Sequence, residues 1–259
     1  MSEGFEITAG EIPVILHVPH SSRQIPPDIR KDILLSDEQL KVELDEMTDS
    51  HTDKIASLAV ADLSKQPWIF RNKLSRLVID PERFPDEREI MNKVGMGAVY
   101  LKTSTGQQLR SENFDAKPLI DRFFKPYASA FTQLVEKLLN QHKSVFIIDV
   151  HSYRVEQHPN AVNHGQARPP ICLGTDDFHT PLWLNQLAKD CFSTVGEVIE
   201  NQPYGGTYVP LDFYEKDDRV LSVMLECRAD QFLSSDLTLH AGAQQVASAL
   251  SSLISKAKI

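Results

Sequence analysis

Two histidines stand just beyond apolar, β-branched runs. His20 closes VILHVPHSS (residues 14–22), His151 lies in VFIIDVHSY (145–153), and a serine follows each. In an α/β sheet, ligands gather outside the carboxyl ends of the strands, where such runs stop. Two neutral imidazoles there can hold a metal. With one carboxylate they leave a position open for water, the donor set of a hydrolytic zinc. The segment ELDEMTDSHTD (43–53) offers that carboxylate: Glu46, Asp49 and Asp53 are spaced to share one face of an expected helix. Glu226, inside SVMLEC, is a carboxylate in a core-like strand, which needs a reason to be there. An acid that does not ligate the metal can carry the water's proton to a leaving amine. Asp149 shares a strand face with His151 and can orient its ring. Arg76, Arg83 and Arg110 offer bidentate grips for an acidic substrate. Each feature also has a plainer reading: histidines bonded to loop carbonyls, a solvated acidic helix face, a buried Glu226–arginine pair. His17 reads as structural.

The elements that must position these groups alternate between two periods. Strands are expected at 13–18, 68–71, 76–80, 145–150, 171–175 and 219–228, with VGEVIEN as a further candidate. Ser36, followed by Glu38 and Gln39, starts a helical pattern to about residue 64. Helices are also expected over 117–142, from Thr180-Pro181 to about 193, and over 236–257 with Leu239 facing inward. The polar stretch 81–116 reads as a long excursion with few core residues. The fold class that follows is α/β, a mixed, mostly parallel central sheet flanked by helices in three layers. At 259 residues the chain is expected to form a single domain, 1–259.

Composition narrows the partners. A net charge of −9 argues against nucleic acid, while a local arginine pocket still admits a small acidic substrate. The three cysteines form no CxxC pair, so neither a zinc ribbon nor a disulfide framework is expected. The polar, acidic N-terminus suggests no signal peptide, and no membrane span is visible. A soluble, cytoplasmic protein is the expectation.

Taken in order, HVPHSS, ELDEMTDSHTDKI, SRLVIDPERF, KPY, DVHSY, PYGGTYVP and VMLEC resemble the N-formylglutamate amidohydrolase family from about residue 14 to 228. The resemblance implies a fold like the zinc carboxypeptidases and one zinc ion. It implies release of formate from N-formyl-L-glutamate, a late step of one histidine-degradation route. It also implies His20 and His151 as ligands, Asp49 rather than Glu46 as the third, and Glu226 as general base. Arg76 and Arg83 fall in its arginine-bearing segment. Two departures stand out: Glu82-Arg83 where many relatives carry Asn-Arg, and PYA, with Ala128, in place of PYH. The rival readings are a zinc carboxypeptidase or peptidoglycan amidase, and a non-catalytic α/β binding protein.

Overall fold

The computed structural model describes residues 4–161 and 164–258. Its strands are β1 (Phe5–Thr8), β2 (Val14–Val18), β3 (Trp68–Asn72), β4 (Val145–Tyr153), β5 (Ile171–Gly174), β6 (Val198–Glu200) and β7 (Val220–Arg228). They form one sheet of order β1-β3-β2-β4-β7-β5-β6. The pairs β2–β3, β2–β4, β4–β7 and β5–β6 are parallel, whereas β1–β3 and β5–β7 are antiparallel. The helices are α1 (Pro27–Arg30), α2 (Asp37–Met47), α3 (Thr52–Val60), α4 (Lys117–Leu119), α5 (Lys125–Leu139), α6 (Leu182–Phe192) and α7 (Gly242–Lys256).

Alternation along the central strands sends side chains to two covered faces. Leu16, Ile148 and Val223 pack in one core with residues of α3, α6 and α7. Ile15, Ile147 and Val220 pack in another with Tyr127, Phe131 and Leu134 of α5. His17, Asp149, His151 and Glu226 share strand parity with this second set, so the chemistry stands on the α5 face at the carboxyl end. Register fixes two of the pairings: His17 lies opposite Asp149, and His151 opposite Glu226.

Several expectations are corrected. The RLVID run at 76–80 is a turn. β3 is already paired on both edges, by β1 and β2, so no edge there is free. Leu77, Val78 and Ile79 are nevertheless buried, because an apolar run packs from a loop as well as from a strand. The helical pattern 36–64 is two helices broken at residues 48–51, where His51 adopts a left-handed φ of 67°. Ser36 caps α2 as expected, closing a capping box with Gln39. The 117–142 pattern is α4, a π-helical turn at Ile120–Phe124, and α5. The last helix starts only at Gly242, and Leu239 is partly exposed. The 81–116 excursion buries Met96, Val99, Tyr100 and Leu109, so it supplies core. β1 was not foreseen.

Candidate metal centre

β2 ends at Val18, and Pro19 breaks the ladder, leaving His20 buried in the loop beyond. The turn between α2 and α3 is tied to this loop, since Asp49 N–H donates to the His20 carbonyl at 3.1 Å. Asp49 therefore sits in a turn, not on a helix face, and Asp53 is drawn away to Arg71 at 3.2 Å. His151 comes from within β4. These three segments bring three acceptor atoms together. His20 Nδ1 lies 3.2 Å from His151 Nδ1, and Asp49 Oδ2 lies 3.1 Å from His151 Nδ1 and 3.8 Å from His20 Nδ1. Ser152 N–H donates to the same Asp49 oxygen at 3.2 Å.

The outer ring nitrogens face carboxylates. His20 Nε2 is 2.9 Å from Asp80 Oδ1. His151 Nε2 is 3.1 Å from both Glu82 Oε2 and Asp149 Oδ2, though neither is aligned for a hydrogen bond. A carboxylate on Nε2 keeps the proton there and leaves a lone pair on Nδ1. In that tautomer two lone pairs and a carboxylate oxygen converge, an arrangement that a cation relieves. Charge counting agrees. The carboxylates of Asp49, Asp80, Glu82 and Asp149 face only two guanidinium groups, Arg76 and Arg83. The shortfall is two positive charges, which one divalent ion would supply. Toward the same balance, and overcoming burial, these carboxylates also draw protons onto His151 and His17.

Protonation follows the same balance. Burial opposes ionisation of Asp80, but Arg76, His20 and Arg83 overcome it and hold its carboxyl well below the usual range. Burial likewise opposes Asp49, and hydrogen bonds from His151 and His20 reverse the sign. Glu226 goes the other way. Burial raises its pKa to about 8, against a partial offset from His151, and its Oε2 has no hydrogen-bond partner. A buried carboxyl that keeps its proton near neutrality is suited to proton transfer. His17, read as structural, donates from Nδ1 to Asp149 at 2.8 Å and accepts from the Tyr127 hydroxyl at 2.6 Å.

A scan against protein-family models matches residues 12–233 to the family described as N-formylglutamate amidohydrolase. The chain belongs to the N-formylglutamate amidohydrolase family. Among solved structures, an N-formylglutamate amidohydrolase from Ralstonia eutropha JMP134 superposes with a TM-score of 0.77 at 18% identity, covering 96% of this chain and 95% of that one. A gene product from Agrobacterium tumefaciens superposes with a TM-score of 0.71 at 19% identity, covering 98% and 94%. At such identities these likenesses establish the fold. No curated protein matches the sequence.

In this member of the N-formylglutamate amidohydrolase family the other expected residues are distributed unevenly. Glu46, the alternative ligand, is not in the converging set but lines a small cleft with Asp49, Arg76 and Ser152. Arg76 faces that cleft, yet its guanidinium is held by Asp80 at 2.7 Å and by the Tyr100 hydroxyl at 3.0 Å. Arg83 lines a separate, larger groove under α5. Arg110 corrects the expectation: it is fully buried and donates to the carbonyls of Tyr100 and Leu77, with no surface left for a substrate. It satisfies the Leu77 carbonyl of the 76–80 turn, which no strand partner reaches. Sequence reading missed Asp80 and the part Glu82 plays. Their only linear signal was acid next to arginine in VIDPERF.

Proposed function

We propose that this chain is a zinc-dependent amidohydrolase that cleaves N-formyl-L-glutamate to formate and L-glutamate, working as one unit over 1–259. The convergence of His20 Nδ1, His151 Nδ1 and Asp49 Oδ2 carries the reading. Two imidazoles and a carboxylate suit zinc and leave one position open. A zinc ion held by these three residues would supply a water of lowered pKa and a Lewis acid for the amide carbonyl. Asp80 holds the His20 ring, and Glu82 with Asp149 faces the His151 ring, so the ligand set is preorganised. Glu226 accepts the water's proton and delivers it to the leaving nitrogen. Its pKa of about 8 falls when a dication sits beside it, which puts it in the base form at neutral pH. Arg76, at the cleft wall, adds positive charge where the carbonyl oxygen becomes anionic. The reading carries with it a place in histidine degradation and in the cytoplasm.

A second reading, a carboxypeptidase or peptidoglycan amidase acting on a longer peptide substrate, draws on the groove under α5. That groove encloses about 800 Å³, against about 70 Å³ for the cleft beside Asp49. One screen separates the two: N-formyl and N-acetyl amino acids beside short peptides, with zinc present. Formate release from N-formyl-L-glutamate by protein holding close to one zinc is the expected result. Full activity in metal-free protein would sink the zinc mechanism.

A further inference from the structure

The arginines nearest the metal centre are occupied, and two others in the same cleft are not. Arg76 is bound to Asp80, Arg83 lies 3.6 Å from Asp80 and faces the other groove, and Arg110 is spent on carbonyls. Arg168 and Arg154 line the cleft with Asp49 and Ser152. Arg168 is only 8% exposed. Its guanidinium packs beside an edge-to-face pair of tyrosines, 5.3 Å from the Tyr153 centroid and 5.1 Å from that of Tyr204, whose own centroids are 5.7 Å apart. Nη1 donates to the Tyr204 hydroxyl at 2.8 Å, while Nε has no partner. No carboxylate among the described residues pairs with it. Arg154 donates only to the Asp45 carbonyl, at 3.1 Å. Buried guanidinium groups are rarely left without an anion. The acids of the same cleft are Asp49, which belongs to the metal centre, and Glu46 and Glu156. Burial pushes the Glu46 carboxyl above its usual range, which weakens it as a counter-ion.

We infer that Arg168, with Arg154 lining the same cleft, forms the subsite that receives the side-chain carboxylate of the substrate. The inference rests on the proposed reaction and names the groups that make it selective for an acidic N-acyl amino acid. The tyrosine pair holds the guanidinium in place through cation–π contact and the Tyr204 hydroxyl bond, and its charge is left for a substrate carboxylate to meet. Asp49 lines the same cleft, so an amide carbon at the metal centre and a carboxylate at Arg168 belong to one small molecule.

Calorimetry with L-glutamate and its neutral isostere L-glutamine tests this on the zinc-loaded protein. Wild type is expected to bind L-glutamate about 10- to 100-fold more tightly than L-glutamine. Arg168→Met, which still packs against the tyrosine pair, should lose that margin while L-glutamine binding, zinc content and melting temperature stay unchanged. Arg168→Lys should recover part of it. Unchanged L-glutamate binding in Arg168→Met would overturn the inference, as would equal affinity for the two ligands in wild type. Loss of both ligands together would make Arg168 a structural part and would also overturn it. Kinetics on N-formyl-L-glutamate give the other axis: a raised KM at similar kcat is expected, and a fall confined to kcat contradicts the role. Failure of the reaction itself shows as no formate release by wild type, which leaves the L-glutamate margin and its dependence on Arg168 intact.

Discussion

His20 and His151 each turn Nδ1 inward because a carboxylate stands behind Nε2, and this arrangement is where single substitutions should act most cleanly. Asp80→Asn keeps the shape but removes the charge that holds the His20 proton. Zinc affinity should fall about 10- to 100-fold by chelator competition, with the fold retained. Glu226→Gln should leave zinc bound and cut kcat by about 10²-fold or more. The same residue gives a pH prediction in the metal-free protein. Folded Glu226 keeps its proton to about pH 8, while an unfolded glutamate releases it near 4.5. The stabilisation is therefore complete below about 4.5 and is lost as pH rises through 8. Glu226→Gln escapes that loss. Its stability relative to wild type should grow across this window by on the order of a few kcal/mol in denaturant titrations. A flat difference would contradict a buried, protonated Glu226.

At the scale of elements, the α2–α3 turn and helix α5 do the positioning. His51 holds a left-handed φ of 67° at the start of α3, two residues after Asp49. A non-glycine residue there costs about 1 kcal/mol, so His51→Gly should stabilise the fold by roughly 0.5–1 kcal/mol. His51→Val should destabilise it and weaken zinc binding as Asp49 shifts. Thermal melts and zinc titrations read both. On α5, Phe131 is fully buried with its ring centroid 4.9 Å from that of His17 and 4.6 Å from that of Phe70. Phe131→Ala should cost about 3–5 kcal/mol by denaturation, because the cavity opens under a rigid sheet face. The elements also show what was legible in the sequence. β2, β4, β5 and β7 were readable because buried strands leave unbroken β-branched runs. The 76–80 turn was not, because its backbone bonds go to Ser75, to Ala98 and to Arg110, 33 positions from Leu77, rather than to a strand. The break at residues 48–51 was hidden because the acids on both sides keep helical spacing.

For the whole molecule, net charge and local charge act at different ranges. The chain carries −9 overall, yet the buried centre itself lacks two positive charges. Removing zinc with a chelator should lower the melting temperature. Adding zinc at about 1,000 times its Kd should restore about 4 kcal/mol of stability. Calorimetric melts at fixed protein concentration check this, and a metal-independent melting temperature would contradict the charge argument. Among the described residues no helix is long and apolar enough to cross a membrane.

The sequence by itself determined the α/β alternation, the strand-end placement of His20 and His151, and the ordered motifs that point to the family. Those features are local: a run of buried residues and its end are written consecutively in the chain. The resemblance already favoured Asp49 over Glu46, and strand parity already set Asp149 by His151; the tertiary structure brings these groups together. It alone decided that Asp80 and Glu82 stand behind the histidines, and that no carboxylate of the described residues pairs with Arg168 or Arg154 while Arg76 and Arg110 are held by other groups. These are outcomes of pairing across tens of residues. Whether a charge is available depends on which partner the fold brings within a few ångströms, and linear spacing does not carry that distance.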